Sequence, residues 1–427
     1  MREKIMSTQE MNTVGLKTQA APVLGGGRAW LVWLLATTFV VWLFNVQTGY
    51  AILNSKVAGE IGLGMEQVGM IAAVYTWVFA IAQMFSGALL DKLGARKVLI
   101  PAIILVGAGV WLFAYAESFE MLLLSQVVLA LGSCAGFVGA GYVGGVWFGM
   151  AKFGVMFGLV QVVAALSSAF GQAGFDVALS VMSWRELMVG FGLFGLGLLA
   201  LAMMFVRNPV EPESHGLSAA GFVGGVLAAI GEVLKNRQVM LIALAGAISF
   251  GVMLALGVVW APKLVMAHGV DESSANLASA ALWLGMAVGS LFINQWTDKV
   301  KSRKQPVIIT LAVQLAALIA LVYLPLNGMM AQALCFVFGA ANAGHMLAFT
   351  MAGDNVPVRL IGTAASVVNG SMFIIGGVLM GLPVAMLEGT AGDLAAYQHA
   401  MLVMLGLLVL SLLVTLVTRE CYPAQKH

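Results

Sequence analysis

The stretch Gly87-Ala-Leu-Leu-Asp91-Lys92-Leu-Gly94-Ala-Arg96-Lys97 is a short charged segment at the junction of two long apolar runs, 67–90 and 98–116. A similar segment, Asp298-Lys299-Val-Lys301-Ser-Arg303-Lys304, follows 207 residues later and aligns with the first without a gap. This offset is close to half of the 427 residues of the chain. The repeat therefore predicts that the chain is built from two related halves.

The apolar runs on either side of these segments recur along the whole chain. The composition is 61% hydrophobic and only 9% charged, with a mean hydropathy of +0.98, whereas about a quarter of the residues of a soluble domain are charged. A helix needs roughly 20 apolar residues to cross a bilayer. Uncharged runs lie at 29–55, 67–90, 98–116, 121–151, 187–206, 238–262, 273–297, 360–387 and 394–418, and the run 153–184 contains one acid, Asp176.

One further run, 305–353, has 49 residues and is broken near its middle by Pro325, Asn327 and Gly328, so it predicts two crossings. Continuous apolar runs favour helices over the strands of a membrane barrel, which alternate apolar and polar residues. The sequence thus predicts an all-α polytopic membrane protein with twelve transmembrane helices. The repeat divides them into two pseudo-symmetric six-helix bundles related by an axis along the membrane normal.

The positive charge of the chain lies on one side of the predicted membrane. If both termini are cytoplasmic, the cytoplasmic segments hold 18 of the 21 Lys and Arg residues, and the outer loops hold only Lys56, Arg185 and Lys263. Because positive loops stay in the cytoplasm, both termini are predicted to be cytoplasmic. The predicted parts are a tail (1–28), an N-terminal bundle (29–206), a connector with room for an interfacial helix (207–237), a C-terminal bundle (238–418) and a tail (419–427). The short loops and compact termini favour a bacterial inner membrane.

The segment at 87–97 closely resembles the signature loop of the major facilitator superfamily, in which a glycine precedes an aspartate and then a basic residue, a glycine and two more basic residues. The segment Asp354-Asn-Val-Pro357-Val-Arg359-Leu-Ile-Gly362-Thr-Ala364 resembles the segment of that family that enters span 11. The second copy of the loop departs from the pattern, with Asn294 in place of Gly87 and Lys301 in place of Gly94. The resemblance implies the superfamily fold and secondary transport by alternating access.

The resemblance also implies a cytoplasmic gate formed by these loops. We expect Gly87 to permit close helix approach, and Asp91 to accept hydrogen bonds from a helix N-terminus and to pair with Arg96. Asp354 and Arg359 are expected to form a second ion pair, and the second loop to hold more loosely. A solvated basic loop is the alternative interpretation, above all for Lys92 and Lys299. The gate candidates are Gly87, Asp91, Arg96, Asp298, Arg303, Asp354 and Arg359.

Polar residues inside the spans are costly in lipid and indicate where a solute or a proton could bind. Asp176 and His345 are the ionisable residues well inside the predicted spans, so they are the candidates for proton coupling. For Asp176, pairing with Lys263 or hydration is the alternative. Interhelical hydrogen bonding is the alternative for the amides. The candidates for solute contact are Asn45, Gln47, Tyr75, Gln161, Asn342, His345 and Asn369.

The substrate class is constrained by what the spans lack. No Lys or Arg lies at mid-membrane, so the paired-arginine site of the organic-phosphate carriers of the family is missing. A neutral, zwitterionic or monocarboxylate solute is therefore expected, with a proton as the coupling ion and the lipid bilayer as the surroundings of a monomer. The sequence contains no phosphate-binding loop, nucleophile with a base, or metal-ligand cluster. No enzyme activity, cofactor, metal or nucleic-acid partner is predicted.

Three functions are compatible with these features. The first is a proton symporter that imports a small organic solute. The second is a proton-driven exporter of an amphipathic compound or siderophore, which is disfavoured because span 5 lacks proline and the glycine-proline signature of the drug antiporters of the family. The third is a transporter-like membrane sensor, which would have little use for a gate that opens and closes.

Overall fold

The computed structural model describes residues 25–209, 219–382 and 393–422, and these ranges form helices and short connections without a β-strand. In chain order the helices are α1 (Gly26–Ile61), α2 (Met65–Ala114), α3 (Phe119–Ser133), α4 (Gly136–Phe148), α5 (Phe153–Leu179), α6 (Trp184–Phe205), α7 (Ala219–Lys235), α8 (Arg237–Ala255), α9 (Ala261–Ala267), α10 (Glu272–Val300), α11 (Lys304–Tyr323), α12 (Gly328–Asn342), α13 (Leu347–Asp354), α14 (Ile361–Gly381) and α15 (Leu394–Val417). The predicted all-α class is confirmed.

Ten segments of the described ranges are long and apolar enough to cross a bilayer. One of them, Met70–Ala114, has 45 residues and contains Gly94, whose φ of +75° breaks the helical path inside α2. A φ in this region favours glycine, and the segment is long enough for two crossings. With the 27 residues of α5, the described helices are compatible with twelve crossings of a polytopic membrane protein.

Three of the crossing segments contain irregular backbone, and in Phe119–Phe148 it is the break at Cys134 and Ala135 between α3 and α4. A single π-helical turn, Leu256–Trp260, joins α8 to α9, and the hydroxyl of Ser279 donates to the carbonyl of Gly257 in that turn at 2.7 Å. A 3-10 turn, Ala343–Met346, joins α12 to α13 and contains His345. Irregular backbone at membrane depth requires partners inside the protein or a water-filled cavity. The π turn and the 3-10 turn each have a polar side chain, Ser279 or His345, hydrogen-bonded to the backbone there.

The internal repeat is visible in equivalent hydrogen bonds that follow the last helix of each half. After α6, the side-chain oxygen of Asn208 accepts from the backbone N–H of Arg96 at 3.2 Å. After α15, the carboxylate of Glu420 accepts from the backbone N–H of Arg303 at 2.9 Å. Arg96 and Arg303 occupy matching positions of the two charged segments. Each half thus uses the third residue after its last helix to cap the helix that follows its charged segment.

The two halves meet along α2 with α14 and along α5 with α10. Helix α7 lies within the predicted connector and packs on α2, α8 and α14. Its Glu232 pairs with Arg359 at 2.7 Å. The connector helix therefore contacts both halves on the side of the charged segments.

Candidate functional site

Asp91, at the end of the first half of α2, joins the two halves. Its carboxylate accepts hydrogen bonds from the backbone N–H of Gly362 at 3.0 Å, from the N–H of Thr363 at 2.7 Å and from the Thr363 hydroxyl at 2.8 Å. Gly362 and Thr363 are in the first turn of α14. The first N–H groups of a helix have no partner within it, and the helix dipole favours an anion there. The expected carboxylate contact with a helix N-terminus is therefore present.

Gly87 lets the two helices touch through their backbones at the same place. A Cβ atom at Gly87 would lie 1.7 Å from the carbonyl oxygen of Gly362, so no residue with a side chain fits at this position. One turn further along α14, the Ser366 hydroxyl donates to the carbonyl of Met84 at 3.1 Å. The contact between α2 and α14 at this end of the molecule therefore has no room for water or solute.

Arg96 does not form the predicted pair with Asp91. Its guanidinium donates instead to the carbonyl of Val206, just after α6, at 2.6 Å. A cation at the C-terminal end of a helix is stabilised by the helix dipole and by the free carbonyls. The prediction of an Asp91–Arg96 pair is thus wrong, because Arg96 fastens α6 within its own half.

The second charged segment has different partners. Asp298 accepts a hydrogen bond from the hydroxyl of Tyr422 at 3.2 Å, within its own half. Between the halves, Asn294 Nδ2 donates to the carbonyl of Gly154 at 3.0 Å. The expected pair of Asp354 with Arg359 is wrong. Asp354 pairs with Arg303 at 2.6 Å, whereas Arg359 pairs with Glu232 of α7.

A cluster of buried phenylalanines, which the sequence analysis did not single out, fills the space between the halves near Asn294 and Gly154. Phe157 of α5 lies 4.6 Å from Phe349 of α13, and Phe137 of α4 lies 5.1 Å from Phe157, measured between ring centroids. Gly141 leaves room for the ring of Phe157, since a Cβ there would lie 1.5 Å from it. The rings add an apolar barrier across the interface. Phenylalanine is common in any membrane span, so the sequence offers no distinctive signal for this cluster apart from the glycine at 141.

Asn45 of α1 lines a wide-open cavity of about 490 Å³ between α1 and α5. Its side-chain N–H₂ donates to the Ser167 hydroxyl of α5 at 2.6 Å and to the carbonyl of Val41 at 2.8 Å. Gly171 is required beside it, because a Cβ there would lie 1.8 Å from Asn45 Oδ1. The lining residues are Val41, Asn45, Val163, Leu166, Ser167, Phe170 and Gly171.

Asn342 and His345 belong to a buried network inside the C-terminal half. Asn342 Nδ2 donates to the carbonyl of Ser249 at 2.9 Å, and the Ser249 hydroxyl donates to Gln314 Oε1 at 2.9 Å. His345 Nδ1 lies 2.7 Å from the carbonyl of Asn342. Gln314 and Ser249 were not among the predicted contact residues. The network connects α8, α11 and α12. Asn342 therefore forms the hydrogen bonds between helices that were the alternative to solute contact for the amides.

His345 is also linked to the interface between the halves by a series of contacting aromatic rings, which are tilted or edge-on to one another. The imidazole lies 4.7 Å from Phe250, Phe250 lies 5.9 Å from Phe373, and Phe373 lies 4.7 Å from Phe79 of α2. A small cavity of about 20 Å³, enough for one water molecule, borders His345, Ser249 and Thr415. The histidine therefore lies between a water-sized space in its own half and rings that reach the other half.

The remaining candidates have simpler surroundings. Gln161 approaches Met286 Sδ of the other half at 3.8 Å, and Tyr75 stacks on Phe79 at 5.9 Å. Asn369 is buried, and Gln47 is half-buried. The side chain of Asp176 lies outside the described part of the structure. Among the described residues, no three His, Cys, Asp or Glu side chains group so as to hold a metal ion.

The arrangement has one closed and one accessible region. The Asp91 contact, the Gly87 contact and the phenylalanine cluster seal the interface at the side of the charged segments. The cavity beside Asn45 offers an amide and a hydroxyl within apolar walls, which suits a solute with a few hydrogen-bonding groups. Whether Asn45 and the other candidates contact a solute stays a prediction.

A family model described as Major Facilitator Superfamily matches residues 33–381. A probable sulfoacetate transporter of Cupriavidus necator is 28% identical over 156 residues, which are 36% of each chain. A 3-(3-hydroxy-phenyl)propionate transporter of Escherichia coli is 26% identical over 359 residues, which are 81% of this chain and 85% of the relative. The fold is similar to that of a bacterial homologue of the human lysosomal transporter Spinster, solved inward-facing and unoccupied. The TM-score is 0.64 at 17% identity, over 92% of this chain and 97% of the other.

Proposed function

The chain belongs to the major facilitator superfamily, and we propose on this basis that it is a secondary transporter that moves a small organic solute across a bacterial inner membrane by alternating access. The observation that carries the proposal is the set of hydrogen bonds from the start of α14 to Asp91. These bonds close the interface beside the charged segments, and the open cavity beside Asn45 lies between α1 and α5 of the N-terminal half. A contact that has to break and re-form is the element that alternating access requires.

The substrate is proposed to be a small carboxylate. The two relatives described above carry, according to their names, sulfoacetate and 3-(3-hydroxy-phenyl)propionate, and both compounds contain a carboxylate. In this chain the Ser167 hydroxyl is the uncharged donor beside the cavity, because the Asn45 amide already donates to Val41 and to Ser167. A hydroxyl donor can contact a carboxylate without the cost of a buried lysine or arginine.

Proton symport is proposed as the driving mechanism, with His345 and Asp176 as coupling residues. His345 is buried in a 3-10 turn at membrane depth. Protonation of this ring would place a charge in the interior of the C-terminal half unless the surrounding helices move. The rings of Phe250 and Phe373 offer a mechanical link from that charge to α14 and α2. The protein is proposed to work as a monomer.

Transport in liposomes tests this function. Purified protein in phosphatidylethanolamine and phosphatidylglycerol vesicles would be given labelled 3-(3-hydroxyphenyl)propionate, an amino acid and a neutral sugar, with and without a pH gradient. We expect accumulation of the carboxylate that collapses when a protonophore is added. Accumulation of an amphipathic compound in the export direction would favour the exporter, and complete inactivity with all solutes would favour the sensor.

The double variant Asp176→Asn with His345→Gln tests the coupling. It should lose uphill accumulation and retain downhill exchange, because a carrier without a titrating group can still alternate. His399→Gln, an exposed histidine of α15, is the matched control and should behave as the unaltered protein. Accumulation by the double variant at the normal level would refute a coupling role for both residues.

A further inference from the structure

The connector helix α7 has two apolar faces, and the described residues of the protein cover only one of them. Val226, Ala229, Ile230 and Val233 are buried. Val223, Leu227 and Leu234 are 55%, 54% and 42% exposed. With about 100° of rotation per residue, the three exposed residues form a second strip that adjoins the buried one. The remaining surface of the helix carries Ala228, Glu232 and Lys235, which are exposed.

The surroundings of α7 place this strip next to the ends of spanning helices. The helix packs on α2, α8 and α14. A Cβ at Gly225 would lie 2.8 Å from the ammonium of Lys92, and Glu232 pairs with Arg359 at the start of α14. Lys92 and Arg359 lie at the ends of the membrane-spanning segments. These contacts place the helix beside the ends of the spanning helices, the level at which lipid headgroups are expected.

We propose that Val223, Leu227 and Leu234 form a lipid-binding surface that inserts into the cytoplasmic leaflet beside the Asp91 contact. An amphipathic helix that lies in the interface buries its apolar face about 5–10 Å into the headgroup and acyl boundary. The basic residues Lys235 and Arg237 end the helix and begin the next one, and they are positioned to attract anionic headgroups. The occupant is thus an anionic bilayer surface.

This inference explains why a helix outside the spans is apolar on more than the face it buries. A helix that only tied the two halves together would need the buried strip alone, and the exposed one would be costly in water. Insertion of the strip in lipid removes this cost. Because α7 contacts α2 and α14, the bilayer would hold both halves close to the gate.

Spin-label accessibility in the full-length protein tests the inference without reference to any solute. Cys134, Cys335 and Cys421 would be replaced, and a nitroxide attached at Leu227→Cys, Leu234→Cys or Ala228→Cys. In phosphatidylethanolamine and phosphatidylglycerol vesicles, collisions with oxygen report lipid and collisions with a water-soluble nickel chelate report water. The ratio of oxygen to nickel accessibility should be at least about twofold higher at 227 and 234 than at 228.

Ala228 is the matched control, because it is exposed and lies one residue from Leu227 on the same helix. Two results would overturn the proposal. Equal, nickel-dominated accessibility at 227, 228 and 234 would place the strip in water. Low accessibility to both reagents at 227 and 234, with spin–spin broadening, would show that a second copy of the chain covers the strip.

Discussion

The two charged segments of the repeat have the same backbone scaffold, but the first aspartate bonds to the other half of the molecule and the second bonds within its own half. In the first half Asp91 reaches across the interface to the start of α14. In the second half the matching Asp298 is bonded to Tyr422 of its own half. In both halves the third residue after the last helix, Asn208 or Glu420, caps the helix that follows the charged segment. The two copies thus share the backbone scaffold, and within the described residues only in the first does this aspartate contact the other half.

The residues that differ between the copies account for this difference. Gly87 allows the backbones of α2 and α14 to touch, whereas Asn294 fills the equivalent space with an amide that bonds to Gly154. Lys301 takes the place of Gly94 and has a φ of 55°, a conformation that costs a residue with a side chain about 1–2 kcal/mol. Its ammonium and the guanidinium of Arg303 lie over the ring of Tyr422. The second segment has become a support for the C-terminal tail.

The largest effect is expected from Gly87→Val. A Cβ at this position would meet the Gly362 carbonyl, so the closed contact could not form without separating the helices. Transport should fall by at least about tenfold, which corresponds to a loss of roughly 1.4 kcal/mol or more. The matched change in the other copy, Asn294→Val, removes one hydrogen bond and should cost less than half as much in free energy.

Initial rates of solute uptake in liposomes, normalised to the amount of folded protein, measure both variants. Equal losses at the two positions would contradict the assignment of the backbone contact to the first copy alone.

Glu420→Gln is expected to have a smaller effect, which is to weaken the contact between the C-terminal tail and the second charged segment. Although burial opposes it, hydrogen bonds from Ser302, from the backbone of Arg303 and from the backbone of Tyr422 lower the pKa of Glu420 to about 2. A carboxyl group with a lowered pKa stabilises the fold above its unfolded pKa, near 4.3 for Glu, and this contribution is lost as the pH falls towards 2. The charge of Glu420 should therefore hold the tail at any pH used for transport.

Hydrogen exchange at the amides of Arg303 and Tyr422 measures this contact. At pH 7 these amides should exchange severalfold faster in Glu420→Gln than in the unaltered protein. In the unaltered protein their protection, measured relative to the intrinsic exchange rate, should be lost between about pH 4 and pH 2. A loss of protection that begins near pH 6 would be inconsistent with a lowered pKa.

The sequence was sufficient for the fold because hydrophobicity and charge act over whole segments. Runs of about 20 apolar residues must be helical in lipid, and Asp91 could be placed at a helix N-terminus from its loop. The partners of single charges were harder to predict. Arg359 binds Glu232, which lies 127 residues earlier in the connector, and no loop pattern indicates that proximity.

Asn342 shows a second limit of prediction. Its membrane depth suits a solute site, yet the structure joins it to Ser249 and Gln314 within one half. An amide inside a span has the same sequence signature whether it faces a cavity or a neighbouring helix. Phe137, Phe157 and Phe349 are similar, because apolar residues seal an interface without a distinctive pattern.

The central claim is that the first copy of the segment is the gate and the second is not. Pulsed electron–electron double resonance measures the separation of the two halves between nitroxide labels at Lys97→Cys and Val358→Cys. Both positions are exposed, and the other cysteines are replaced. The unaltered protein should give mainly a short distance. Asp91→Asn should populate a longer distance about tenfold more, because it weakens charge-assisted hydrogen bonds worth roughly 1.5–3 kcal/mol, while Asp298→Asn leaves the distribution unchanged. An equal shift in both variants, or a shift in Asp298→Asn alone, would contradict the account.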